Sequence, residues 1–228
     1  MRALVLADGD TPPRARLDAA WPGWADGIGL VVAADGGARH AAPLGFRIDR
    51  WVGDADSIDP AELDRLAASG VPLERVRQDK DASDTELAVR IALDARPRDI
   101  VLLGAFGGAR LDHAIANLGL PMLAAASGTP VVSLTDAARV TWLFGPGPDG
   151  APVTWRLAGH PGDLVTLLPL GAAVDGVTTH GLRYPLVDEP LPAGSTRGLS
   201  NLVDVAGAEV RVRSGALLVV EVPARLDR

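Results

Sequence analysis

Along the first 140 residues, short apolar runs alternate with segments of helical periodicity. Residues 3–7 read as a strand, followed by a Pro-rich loop through Trp21-Pro22. Residues 29–34 form a continuous apolar run ending at Asp35-Gly36-Gly37, the mark of a strand buried on both faces. Residues 50–52 predict a short strand entering Gly53-Asp54, residues 60–68 a helix with Pro in its first turn, and residues 73–76 another strand. Ser83-Asp84-Thr85-Glu86 fits a capping box, with Ser83 as N-cap and Glu86 at the third helical position. Leu87, Ile91 and Ala95 continue that helix. Residues 100–103 predict a buried strand, followed by a glycine-rich turn and a helix over 111–118 whose apolar stripe is Leu111, Ile115 and Leu118. Residues 131–134 close the series. Such alternation predicts an α/β domain with a mostly parallel sheet covered on both faces, Rossmann-like in plan.

After Gly145-Pro146-Gly147-Pro148-Asp149-Gly150 the pattern changes. Short alternating segments at 153–157, 164–168, 173–178, 210–213 and 217–222 are separated by Gly, Pro and Asp, and helical periodicity is lost. This predicts an all-β sandwich or roll of about seven strands. The expected domains are therefore residues 1–144 and 145–228.

The 228 residues carry a formal charge of −7, which argues against a nucleic-acid surface but not against one locally held anion. With no cysteine there is no disulfide, thiolate metal site or cysteine nucleophile. The first apolar run is too short for a signal peptide, and no stretch approaches the ~20 apolar residues of a membrane span. A cytoplasmic protein with no membrane partner is expected. Four histidines scattered at 40, 113, 160 and 180 make a zinc site a poor fit.

The chemistry falls where strands end. Ligands of an open parallel sheet bind outside the carboxyl ends of its strands. Four acidic or glycine-rich clusters sit at such ends: 35–37, Gly53-Asp54-Ala55-Asp56-Ser57, 79–84 and 104–113. On an extended segment Asp54 and Asp56 point the same way and suit a hard cation such as magnesium; an Asx turn in which Asp56 and Ser57 cap local amides accounts for the segment equally well. Lys80 is the only lysine; every other member of the 22 Lys and Arg residues is arginine. A compact ammonium among Asp79, Asp81 and Asp84 suits a point contact to phosphate. Gly107-Gly108 with Arg110 ahead of a helix suits an anion cradle. His113 there reads first as a hydrogen-bonding residue near a helix terminus and only second as a catalyst.

In this order the clusters resemble the thiamine pyrophosphokinase family, over nearly the whole chain. Asp35-Gly36-Gly37 resembles its Asp-Gly-Gly, and residues 53–57 its Gly-Asp-Phe-Asp-Ser, with Ala55 replacing the aromatic. Residues 79–86 resemble Asp-Lys-Asp-x-Thr-Asp-x-Glu, with Ser83 for threonine. Residues 107–113 with Asn117 resemble Gly-Gly-Arg-x-Asp-His and its following helix, with Ala109 as an extra residue before Arg110. Residues 177–186 and Gly198-Leu199-Ser200-Asn201 resemble the thiamine-side motifs.

The resemblance implies diphosphate transfer from ATP to the hydroxyl of thiamine, releasing AMP. The implied catalytic residues are Asp54, Asp56, Asp81, Asp84 and Lys80, with the four aspartates around Mg2+. It implies ATP contacts from Asp35, Gly36, Gly37, Ser57, Gln78, Lys80, Gly107, Gly108, Arg110, Asp112 and His113. Thiamine is expected at Thr178, Tyr184, Ser200 and Asn201, between the subunits of a homodimer. The alternatives are diphosphate transfer to another alcohol, such as a hydroxymethylpterin, and a nucleotide- or thiamine-binding sensor without turnover.

Overall fold

The computed structural model describes residues 1–224, which form two compact units. The first comprises residues 1–124 and 129–136, and the second residues 125–128 and 137 onward.

In the first unit, strands β1 (Arg2–Leu6), β2 (Ile28–Ala34), β3 (Arg50–Gly53), β4 (Leu73–Arg75), β5 (Ile100–Leu103) and β6 (Val131–Leu134) pair parallel in the order β6-β5-β1-β2-β3-β4. The chain runs outward from β1 to β4, then returns to β1's other side as β5. The order therefore reverses between β1 and β5, the kind of place where an open sheet leaves a crevice at its carboxyl edge. Helices α1 (Arg14–Ala20), α2 (Pro60–Ala68), α3 (Asp84–Asp94) and α4 (Leu111–Gly119) belong to the same unit. On α3, Ala88, Val89 and Ala92 are fully buried in one core with Val5, Val32, Val52 and Leu102. Small residues on this face let the helix lie close to β1, β2 and β3.

Two sequence expectations give way here. Residues 8–22 are not loop throughout: α1 starts after Pro13 and buries Leu17 alone. One buried residue leaves no helical stripe to read. On α4 the expected apolar stripe does not face the core, since Leu111 is 72% and Ile115 63% exposed. The helix instead buries Asn117, whose Nδ2 donates to Ala105 O at 3.0 Å.

The second unit is antiparallel throughout. One group of four strands runs β12 (Gly198–Leu202), β9 (Leu164–Pro169), β14 (Gly215–Val222), β7 (Arg139–Gly145). The other runs β11 (Glu189–Leu191), β10 (Val174–His180), β13 (Glu209–Val212), β8 (Val153–Arg156). Their inward positions meet in a core that includes Leu143, Val165, Leu167, Val177, Val210, Val212, Leu217 and Val219. Alternation of more and less buried residues along β9 and β13 follows the period of two, and along β10 it slips at Gly176-Val177, where the register shifts. Because β7 is laddered to β14 over seven residue pairs, the division between units falls ahead of β7, before the Gly/Pro stretch. The buried Glu221 carboxylate is satisfied by Arg139 Nη1 at 2.8 Å and by the amides of Ala158 and Gly159 at 2.6 and 2.9 Å. Among the described residues no helix is long and apolar enough to cross a membrane.

Candidate active site

Because β2, β3, β4 and β5 are parallel, the four clusters that follow them share one rim. A fifth joins them: Asp8-Gly9-Asp10 after β1. The signal for it was present, an acidic-glycine triplet at the end of an apolar strand, but the prolines beyond it gave the segment the look of a plain loop. Backbones crowd at the point where the strand order reverses. A Cβ on Gly9 would lie 2.4 Å from Gly104 O, and one on Gly104 would lie 2.3 Å from Ala7 O. Gly104 also has φ +71°. Glycine is required there by space and by conformation.

Asp35 opens a 3-10 turn (Asp35–His40) directly after β2. It is 3% exposed, with φ +41°, and its Oδ1 and Oδ2 accept the amides of Ala55 and Ser57 at 3.2 and 2.9 Å. Its backbone oxygen accepts Trp51 Nε1 at 3.0 Å. Gly36 and Gly37 are buried beneath the end of β1, where a Cβ on Gly37 would run 2.2 Å from Leu6 O. Asp35 thereby ties the β2 loop to the β3 loop.

The β3 loop is not extended. Ala55 takes φ +68°, and Asp54 Oδ1 accepts Asp56 N–H at 3.2 Å, an Asx turn. The turn nevertheless keeps the Asp56 carboxylate beside those of Asp54 and Asp35. Asp54 turns inward to Lys80. Asp56 stays exposed, taking Ser57 Oγ at 2.8 Å and Gln78 Nε2 at 3.4 Å.

Ser83 Oγ accepts Glu86 N–H at 3.1 Å, as a cap should. The Glu86 carboxylate goes to Arg90 at 2.7 Å instead of closing the box. Capping starts α3 at Asp84 and aims that carboxylate back across the rim. Lys80 Nζ then lies 2.8 Å from Asp54 Oδ2 and 3.2 Å from Asp84 Oδ1. The second approach lacks hydrogen-bond alignment, so the buried Oδ1 of Asp84 has no aligned donor. Asp35, Asp54 and Asp84 each offer a carboxylate oxygen within 4.8 Å of the others. Three converging hard oxygens fit a divalent cation that prefers carboxylate and phosphate oxygen. Asp35 was assigned by sequence to the nucleotide alone, and its place beside Asp54 and Asp84 depends on pairing between β2 and β3 that local pattern does not reveal.

The electrostatics agree with crowded carboxylates. Burial raises Asp35 and Asp84 above the ordinary carboxylate range, and the neighbouring negative charges add to it. The Lys80 hydrogen bond holds Asp54 below that range. Burial works to lower Lys80, but Asp54 and Asp84 together outweigh it and leave the ammonium raised.

These groups line a cavity of about 460 Å³ with Asp8, Asp56, Ser57, Gln78, Asp81 and Thr85. Arg110, His113, Asp8, Ser57 and Thr85 also line an adjoining cavity of about 230 Å³ between the β1 and β5 loops. Gly107 and Gly108, at φ +124° and +78°, form its turn. Gly108 N–H donates to Asp10 Oδ2 at 2.9 Å, so a carboxylate occupies that amide. Arg110 is paired to Asp112 at 2.6 Å, and both side chains are well exposed; the guanidinium holds the Asp112 carboxyl below its usual range. Asp79 is drawn away to Arg77 at 2.7 Å. A larger depression of about 560 Å³ lies on the opposite rim, around Phe46, Leu66 and Val71. Its two lining carboxylates, Asp49 and Glu62, are already engaged by the Val31 amide and by Arg65.

In the second unit, Tyr184 is 57% exposed, and Ser200, at φ +56°, is exposed close by in sequence to buried Asn201. Asn201 bonds the Tyr184 backbone, whereas Thr178 Oγ1 accepts Asp188 N–H at 3.0 Å.

Carboxylates, one ammonium and a glycine turn on the carboxyl rim of an open parallel sheet define a phosphotransferase-type site, joined in this chain to an antiparallel β unit. Residues 24–132 match the family described as thiamin pyrophosphokinase, catalytic domain, and residues 156–217 match thiamin pyrophosphokinase, vitamin B1 binding domain. Thiamine pyrophosphokinase of Bacillus subtilis (strain 168) is 25% identical over 198 residues, 87% of this chain and 89% of that protein. Thiamine pyrophosphokinase 1 of Oryza sativa subsp. japonica is 26% identical over 218 residues, 86% of this chain and 79% of that protein. The fold resembles the crystal structure of the Bacillus subtilis enzyme with a TM-score of 0.80, at 22% identity, over 98% of this chain and 99% of that one. It also resembles the thiamin pyrophosphokinase of Candida albicans, at 0.73, 16% identity, and 97% and 90% coverage. The chain belongs to the thiamin pyrophosphokinase family.

Proposed function

We propose that this chain transfers diphosphate from ATP to thiamine, giving thiamine diphosphate and AMP. In that reaction the thiamine hydroxyl oxygen bonds to the β-phosphorus, the β-phosphorus–oxygen bond to the α-phosphate breaks, and AMP leaves with that oxygen. The observation that carries the reading is the meeting of Asp35, Asp54 and Asp84 with Lys80 on one rim, in a chain whose two halves match the two domains of the family.

On this reading the first unit is a Rossmann-like ATP-binding catalytic domain and the second, which begins ahead of β7, a thiamine-binding sandwich. Asp35, Asp54 and Asp84 would hold Mg2+, which when bound offsets charge on the polyphosphate. Lys80 gives its ammonium to phosphate oxygen, and Arg110 leaves Asp112 to do the same. Ser57, Gln78 and the Gly107-Gly108 turn border the phosphates. Either exposed carboxylate, Asp56 or Asp81, takes the hydroxyl proton. Positioning and charge neutralisation carry such a transfer, with little covalent work for the protein. The exposed Tyr184 ring stacks on thiamine beside Thr178 and Ser200. Catalysis takes place in the cytoplasm, where ATP is supplied.

The same reading makes the protein a homodimer with thiamine between subunits. Its support is the uncovered α4 stripe, Leu111 and Ile115, continued by the 49% exposed Met122. The test is AMP formation from ATP, thiamine and Mg2+. We expect AMP and thiamine diphosphate in equal amounts, and at least about a hundredfold loss in Asp84→Asn. AMP formation with a hydroxymethylpterin and none with thiamine would overturn the assignment.

A further inference from the structure

We infer that Lys80 is an exchangeable counter-ion: its ammonium holds the Asp54 and Asp84 carboxylates in the metal-free protein and must leave them for a divalent cation to enter. The inference rests on the reading of this rim as a metal-and-nucleotide site, and adds to it a coupling between the two ligands.

The geometry sets up a competition. Lys80 Nζ is bonded to Asp54 Oδ2 at 2.8 Å and stands 3.2 Å from Asp84 Oδ1. These two carboxylates, with Asp35, are the ones that offer oxygens within 4.8 Å of each other. A cation ligated there would share its oxygens with a positive charge at contact distance, in a place where solvent screens poorly. The side chains of Lys80 and Asp54 are only 16% and 10% exposed. Lys80 is free to yield: residues 79–83 lie outside any helix or strand, between β4 and the Ser83 cap, and the lysine stem is flexible. Once displaced, the ammonium needs an anionic partner, and nucleotide phosphates supply one. Metal and nucleotide should therefore each raise the affinity for the other by the same factor. An arginine fork cannot make this exchange at one point, which accounts for the single lysine of an arginine-rich chain standing here.

The test uses the full chain and Mn2+ as probe. Without nucleotide, Mn2+ binding followed by electron paramagnetic resonance should be about tenfold tighter in Lys80→Met than in the unaltered protein, the factor that loss of one competing charged hydrogen bond supplies. Because the chain has one lysine, intact-protein acetylation followed by peptide mass spectrometry reads Lys80 alone. Its rate should be low in chelator, rise several-fold with Mn2+ alone, and fall again with Mn2+ plus a non-hydrolysable ATP analogue. Mn2+ bound to the unaltered protein with the Lys80 rate unchanged would overturn the exchange, even if Lys80→Met tightens binding, since the lysine would then act only through its field. Equal Mn2+ affinity in the two proteins, or no Mn2+ binding by either, would also overturn it. Should Lys80→Met fail to fold, the acetylation series decides by itself. Failure of thiamine turnover with both arms intact would remove the proposed reaction and leave this exchange standing.

Discussion

Asn201 grips the peptide groups of Tyr184 from both sides: its Nδ2 donates to Tyr184 O at 2.7 Å, and its Oδ1 accepts Tyr184 N–H at 3.0 Å. The amide is buried, and its Oδ1 also takes Leu202 N–H at 2.8 Å. Asn201 therefore positions Tyr184 through the backbone while the ring stands out in solvent. Asn201→Ala removes the side-chain partner of three backbone groups, at a cost of roughly 1–3 kcal/mol for each one left unsatisfied. We expect a raised KM for thiamine with the KM for ATP unchanged. Steady-state kinetics with each substrate varied in turn will check this; a change confined to ATP would break the link between Asn201 and the thiamine side.

Lys80→Arg keeps the charge and loses the point contact. The guanidinium presents a planar fork where the ammonium stands 2.8 Å from Asp54 Oδ2 and 3.2 Å from Asp84 Oδ1. We expect kcat/KM to fall about 10- to 100-fold, the range set by one charged hydrogen bond, with the melting temperature nearly unchanged. Activity within twofold of the unaltered enzyme would show that charge alone suffices.

Much of this site could be read in order along the chain, because its clusters follow apolar runs and parallel strands carry them to one edge. The helix Pro60–Ala68 and the Ser83 cap were legible for a similar reason: their determinants are neighbours in sequence. What escaped was set by distance in sequence. Asp35 meets Asp54 and Asp84 only through strand pairing and its own φ of +41°. The Asp8–Asp10 loop matters because Gly108, 98 residues on, donates to Asp10. The outward turn of Leu111 and Ile115 follows from Asn117 being anchored to Ala105, a contact that hydrophobic periodicity does not weigh.

Gly104→Ala tests the close approach of the β1 and β5 loops. The added carbon would meet Ala7 O at 2.3 Å in a backbone of φ +71°. Strain and displacement together should cost about 2–5 kcal/mol. Thermal unfolding will report it. Gly70→Ala is the control for conformation without crowding, as Gly70 has a similar φ of +79° and nothing within 4 Å of the added carbon. Equal losses in both variants would show that conformation, not the loop contact, sets the cost.

His40 ties the β1 loop down, its Nε2 facing Gly9 O at 2.9 Å and its Nδ1 facing Thr11 Oγ1 at 2.7 Å. Gly9 O can only accept, so Nε2 carries the proton and Nδ1 accepts from Thr11 in the neutral ring. Burial first, and the charge of Arg39 second, lower its pKa below 6.5, against smaller opposing effects of Gly9 O and Asp10. The unfolded chain then takes up this proton at higher pH than the folded protein does. Its contribution to stability is complete above pH 6.5 and is lost as pH falls through the folded value. Denaturant midpoints measured from pH 7.5 down to 5 should fall less in His40→Gln than in the unaltered protein; parallel curves would assign the acid sensitivity to other groups.

Ile115→Asp tests whether a second copy covers α4. Leu111 and Ile115 lie one turn apart, 72% and 63% exposed, on a helix whose opposite side carries the buried Asn117. Burying two such side chains supplies about 3–6 kcal/mol before the costs of association, enough for one charge at the centre to matter. Light scattering coupled to gel filtration should give a dimer for the unaltered protein and a monomer for Ile115→Asp. Because Ile115 is exposed within the subunit, the substitution should leave thermal unfolding of the monomer intact. If thiamine binds between subunits, diluting the unaltered enzyme below its dimer dissociation constant should lower thiamine affinity and leave Mg2+-dependent ATP binding in place. A monomeric unaltered protein with full activity would remove the dimer and the shared thiamine site together.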